Sequence, residues 1–129
     1  MRGYVRSVLV VFGAYQLVLG LWLLFFPFSF YEDVPTVDWT PPYSEHLFRD
    51  FGGATLGLAV IFIAAAVRFD RLLSVVALVA YLVGAVPHLV FHLGHLEGDS
   101  PGWSIALGVV LALSVLVPAV ALALVRKVT

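Results

Sequence analysis

Four long apolar runs limit what this chain can fold into. They cover residues 8–26, 47–67, 72–93 and 103–125, and the first stops at Pro27. Each holds about 19 to 23 residues, which at 1.5 Å rise per residue matches the ~30 Å hydrocarbon core of a bilayer. Backbone in lipid must satisfy its own hydrogen bonds, and runs this long and uniformly apolar do so as helices rather than barrel strands. The predicted fold is all-α: one transmembrane domain over residues 1–129, arranged as a four-helix bundle. Composition agrees, with 62% hydrophobic and 12% charged residues, about half the charge density of a soluble domain. Arg2 and Arg6 precede the first run and no small-residue cleavage site follows it, which predicts a retained helix rather than a signal peptide.

The few charges sort by connection. Arg2, Arg6, Arg68, Arg71, Arg126 and Lys127 fall at the N-terminus, the second-to-third connection and the C-terminus. Glu32, Asp33, Asp38, Glu45, Asp50, Glu97 and Asp99 fall on the other two connections or just inside the adjoining spans. Basic residues decide orientation, so both termini are expected in the cytoplasm, with the acidic connections outside. Arg49 is the one basic residue on the acidic side, which predicts a local partner for it. No nucleic-acid partner is expected of such a chain; its principal environment is the lipid bilayer.

The connections and the small residues carry further expectations. Arg68-Phe69-Asp70-Arg71 is a minimal turn, so the second and third spans should be antiparallel neighbours. The segment from Phe28 to Ser44 holds Pro35, Pro41 and Pro42 with Tyr31, Trp39 and Tyr43, and is expected to be stiff rather than helical. Ser100 and Pro101 read as cap and first residue of the fourth helix. Gly13 and Gly20 in the first span, and Gly53 and Gly57 beside Gly52 and Ala54 in the second, are expected at close helix contacts. Pro87 and Pro118 should bend their helices. Gln16, Thr55, Tyr81 and Ser114 are isolated polar groups, expected to hydrogen-bond to neighbouring helices.

A polar cluster gathers toward the outer side. His88, His92 and His95 are spaced i, i+4, i+7 and stack along one helical stripe. The second span opens with Glu45-His46-Leu47-Phe48-Arg49-Asp50, which pairs Glu45 with Arg49 and His46 with Asp50 at i, i+4. Asp50 lies roughly 5 Å below the start of its span and His88 roughly 8 Å below the end of its own. In an antiparallel hairpin the two sets can meet at one level, and ionisable groups inside a membrane mark function by default.

Imidazole with carboxylate suits Zn²⁺, Fe, Mn or Cu²⁺. His88, His92 and His95 are the first candidates as ligands, with His46 beside them. Glu45 and Asp50 are further ligands or orient the imidazoles, and Arg49 tunes carboxylate charge or binds an anion. The chain has no cysteine, which excludes disulfides and thiolate sites, and Met1 as the single methionine excludes thioether copper(I) ligation. No H-E-x-x-H motif is present. A catalytic version of the site would use metal-activated water or oxygen at the membrane surface. Three alternatives stand beside it. The same groups could form a self-satisfied network that locks the bundle end. Haem, quinone or proton-relay use is a further reading, though haem would need His46 as the facing ligand. A non-catalytic accessory or assembly subunit of a larger membrane redox complex, or a homo-oligomer, also suits a chain this short.

The stretches Gly20-Leu-Trp-Leu-Leu-Phe-Phe-Pro27-Phe28 and Phe48-Arg49-Asp50-Phe51-Gly52-Gly53-Ala54-Thr55-Leu56-Gly57 resemble small bacterial four-helix membrane proteins of the DoxX-like kind. The resemblance covers about half the chain. It implies a compact four-helix bundle with both termini cytoplasmic, in a bacterial inner membrane. It assigns no functional residue, and the run from His88 to His95 lies outside it.

Overall fold

The computed structural model describes residues 1–39, 42–96 and 100–128. Its long helices are α1 (Arg2–Phe25), α3 (Glu45–Arg68), α4 (Arg71–Leu93) and α5 (Pro101–Val125), with a short α2 (Pro27–Asp33) and a 3-10 turn (Val37–Trp39) between α1 and α3. All four long helices are long and apolar enough to cross a membrane. Helices adjacent in order pack together, and α1 against α5 closes the ring. The chain is an all-α, multi-pass membrane bundle.

Each helix end has a local cause. Phe26 leaves the helical region and Pro27, which has no N–H to donate, restarts the chain as the first residue of α2. The segment after Phe28 is thus partly helical, contrary to the expectation of a stiff non-helical loop. Its prolines 35 and 42 lie beyond Asp33, where they cannot interrupt α2, and Pro41 falls outside the described residues. Ser44 caps α3 by accepting from the Leu47 N–H at 3.4 Å. Phe69 ends α3 in the left-handed region at φ 48°. Asp70 then caps α4, its Oδ1 accepting from the Leu73 N–H at 2.9 Å. Two residues between helices therefore suffice for the reversal. Ser100 occupies the cap of α5 with Pro101 following, but its side chain makes no cap bond. Pro87 and Pro118 sit within continuous helices.

Glycine sets how closely α1 and α3 approach. A Cβ built on Gly52 would lie 2.7 Å from the Leu24 backbone N and 3.0 Å from the Gly20 carbonyl oxygen; one on Gly20 would lie 2.8 Å from Leu56 Cγ. Gly13 is also tight, 3.2 Å from Phe62 Cβ. Gly53 and Gly57 would meet nothing within 4 Å, which corrects their assignment to a helix contact within the bundle. The phase of α3 explains the difference. Gly52, Ala59 and Ala66 are seven apart and all buried, so Gly53 and Gly57 fall on the far side of the helix.

Packing is uneven along the bundle. At the end that carries the N-terminus, Val5, Val8, Leu9, Phe62, Ala65, Ala77, Leu78, Ala121 and Val125 form one core. Phe12, Phe62 and Tyr81 form a layer of ring contacts, with centroids 5.1 Å (Phe12–Tyr81) and 6.0 Å (Phe62–Tyr81) apart. Toward the other end, α1 stays buried out to Leu23 and α3 from Gly52, but α4 buries nothing beyond Tyr81 among the described residues. Likewise α5 buries nothing before Leu111. The α1/α3 pair is close along its length, whereas the distal halves of α4 and α5 are only partly covered by the described residues.

The deeper hydroxyls bond both within and between helices. The Thr55 hydroxyl donates to Phe51 O at 2.7 Å, and the Ser114 hydroxyl to Leu111 O at 2.8 Å. Thr55 thus bonds within its own helix, a common outcome for hydroxyls inside helices, whereas Ser114 also hydrogen-bonds to Tyr81 across α4 and α5, as expected.

Candidate functional site

The basic residues gather at one end of the bundle. Arg2 and Arg6 place their guanidinium carbons 5.2 and 5.8 Å from the centroid of the Phe69 ring, which ties the start of α1 to the α3–α4 turn. The opposite end carries Glu45, Asp50, Arg49 and the histidines. Glu97 and Asp99 lie outside the described residues.

At this acidic end the two pairs that open α3 form as spaced. Glu45 Oε1 accepts from Arg49 Nε at 2.8 Å and lies 2.8 Å from Arg49 Nη2. His46 Nε2 lies 3.3 Å from Asp50 Oδ2. The remaining Arg49 nitrogen, Nη1, donates to the Leu24 carbonyl oxygen on α1. Carbonyls in the last turn of a helix lack intrahelical donors and carry partial negative charge. Arg49 therefore supplies from α3 the donor and positive charge that the end of α1 lacks. That is the local partner its misplaced charge called for.

The His46–Asp50 pair points elsewhere. Their side chains are 89% and 65% exposed, and at 100° per residue they share a face with Gly53 and Gly57, away from α1. The histidines of α4 lie on the opposite kind of face. The buried stripe Ser74, Leu78, Tyr81 continues at spacings of three and four through Ala85, His88 and His92. The histidine stripe is thus the inward face of α4, in the half of the bundle that the described residues only partly cover. His88 remains exposed and His92 is half-buried.

The three imidazoles differ in their bonding. The His88 and His92 rings meet edge to face with centroids 4.6 Å apart. His92 Nδ1 is shielded from solvent and has no hydrogen-bond partner among the described residues. His95, just past the end of α4, has its Nδ1 2.7 Å from Phe91 O and its ring stacked on Phe91 at 4.2 Å. A ring nitrogen donating to a backbone carbonyl fixes the tautomer and leaves Nε2 as the free lone pair.

No group of three or more His, Asp or Glu side chains among the described residues lies close enough to hold one ion. The geometry therefore contains an imidazole couple, His88–His92, with His95 one turn further on, and separate ion pairs on α3.

An aromatic cover lies over α1 and α3 but not over the histidines. Trp22 stacks edge to face with Phe30 at 5.3 Å and donates from Nε1 to Ser29 Oγ at 3.2 Å; Tyr43 meets Phe48 at 5.6 Å and Tyr31 at 5.4 Å. Through these rings α2 packs on α1 and α3, and not on α4. Sequence reasoning missed this cover because ring pairing between α2 and α3 joins residues without periodic spacing. Comparison of the chain with family models, with curated proteins and with solved structures finds no match in any of the three, and nothing in them bears on the DoxX-like resemblance.

Proposed function

We propose that this chain is a multi-pass membrane protein that binds a transition-metal ion on the inward face of α4, through the His88–His92 couple, with His95 one turn further on. The basic end faces the cytoplasm of a bacterial cell and the histidines open outward, as the distribution of Lys and Arg favours. The observation that carries the reading is His92 Nδ1, a ring nitrogen shielded from solvent and without a partner among the described residues, beside a second imidazole at i, i+4. An unpaired polar atom in such surroundings is costly, and a bound cation satisfies it. His95 supports the same reading, because its Nδ1 contact with Phe91 O is the arrangement that presents Nε2 to a metal. Nitrogen ligands of this kind suit Zn²⁺, Cu²⁺ or Fe. Glu45, Asp50 and His46 are outside this set, since each is paired within α3.

Metal content of the purified protein tests the proposal. Near-stoichiometric metal that falls severalfold in His92→Ala, and stays in His46→Ala, is expected. Metal well below one equivalent after loading, or equal retention in both variants, contradicts it.

One observation favours a second reading, an accessory subunit or homo-oligomer. The far face of α3 combines Gly53 and Gly57, which touch nothing, with the exposed His46–Asp50 pair. Small residues at i, i+4 with polar side chains in line suit the approach of another transmembrane helix. Co-purification with a partner that is lost in Gly57→Leu would support it.

A further inference from the structure

The acidic end holds a cleft that the proposed metal site does not use. It lies where α1 breaks into α2, has a volume of about 300 Å³, and is lined by Phe25, Phe26, Phe28, Tyr43, Glu45 and Arg49 among others. Its charged pair is only partly consumed. An arginine offers five N–H donors; Arg49 uses Nε and Nη2 toward Glu45 and one donor of Nη1 toward Leu24. Among the described residues two of its donors stay free for an anion. Both Arg49 contacts fall on Glu45 Oε1, so Oε2 stays free for a cation. Beside them Phe28 and Tyr43 meet edge to face at 5.3 Å and offer ring faces to a cationic group. Phe25, Phe26 and Phe28 are exposed on the apolar side, at the level where a helix end reaches the bilayer surface.

A free donor pair, a free carboxylate oxygen and an apolar flank have one matching ligand chemistry. The geometry points to a zwitterionic phospholipid bound at this cleft, phosphate on Arg49, ammonium on Glu45 and the Phe28/Tyr43 rings, acyl chains along Phe25 and Phe26. A singly anionic lipid matches Arg49 but meets Glu45 with the wrong charge. A free zwitterionic headgroup would satisfy the polar half and leave the phenylalanine flank unused.

Native mass spectrometry of the full chain, released from detergent with added lipid, tests this. Phosphatidylethanolamine should bind one-to-one and more tightly than phosphatidylglycerol. Glu45→Gln should cut that preference about fivefold, the effect of losing one exposed ion pair of order 1 kcal/mol. Arg49→Gln risks the α1–α3 contact itself, so Phe26→Ala, on the acyl flank, serves as the second variant and should weaken both lipids alike. Equal binding of the two lipids by the unmodified protein, or a preference unchanged in Glu45→Gln, overturns the proposal. Displacement by glycerophosphoethanolamine at concentrations no higher than the lipid's overturns the lipid source.

Discussion

Arg49 and Gly52 are the residues on which the α1–α3 pair depends. Arg49 was conspicuous in the sequence as a basic residue on the acidic side, but its partner was not, because Leu24 O is a backbone atom on another helix, 25 positions away. Arg49→Ala removes a charge-assisted bond and leaves the end of α1 uncapped. We expect a loss of about 1.5–3 kcal/mol, measured as a lower unfolding midpoint in detergent. Glu45→Gln, which affects only an exposed pair, should cost under ~1 kcal/mol. The glycines make a sharper contrast. A methyl group on Gly52 meets the Leu24 backbone at 2.7 Å and the helices must separate, so Gly52→Ala should cost about 1–3 kcal/mol. Gly57→Ala meets nothing and should leave the melting point of the monomer unchanged or slightly raised. Equal effects of the two substitutions would contradict the packing described here.

The elements were legible to different degrees. Spans of about 20 apolar residues fix four transmembrane helices through length alone, and the basic residues at three of their ends group into one end of the bundle. Helix α2 was not legible, because Pro27 can either end one helix or begin the next, and only the aromatic contacts of Phe30 and Tyr31 decide it. The choice of Gly52 over Gly53 was available in principle. Its seven-residue register with Ala59 and Ala66 marks the contact stripe, whereas a small-xxx-small pair alone does not say which face is occupied. Asp70 was passed over as a turn residue, yet it caps α4. Asp70→Ala should cost about 1 kcal/mol, read as a lower thermal midpoint with the helix content of the folded protein retained.

For the whole molecule, one contrast matters most: a bundle closed at its basic end and, among the described residues, only partly covered along α4 and α5 at the other. The spacing of His88, His92 and His95 was visible in the sequence, but where that stripe faces was not. It depends on the phase of α4 against Tyr81 and Leu78, which only the packed structure supplies. The same phase explains why His46 and Asp50 stand apart, since α3 turns them away from α1. A ligand set drawn from both helices was reasonable from depth alone, while rotation about the helix axis decides which groups converge. The central claim is therefore an imidazole site on one helix. Electron paramagnetic resonance of the Cu²⁺-loaded protein tests it most directly. An imidazole site on α4 gives hyperfine coupling to imidazole nitrogen that disappears in His88→Ala/His92→Ala and persists in His46→Ala/Asp50→Asn. A spectrum that survives the first pair of substitutions and is lost in the second would contradict it.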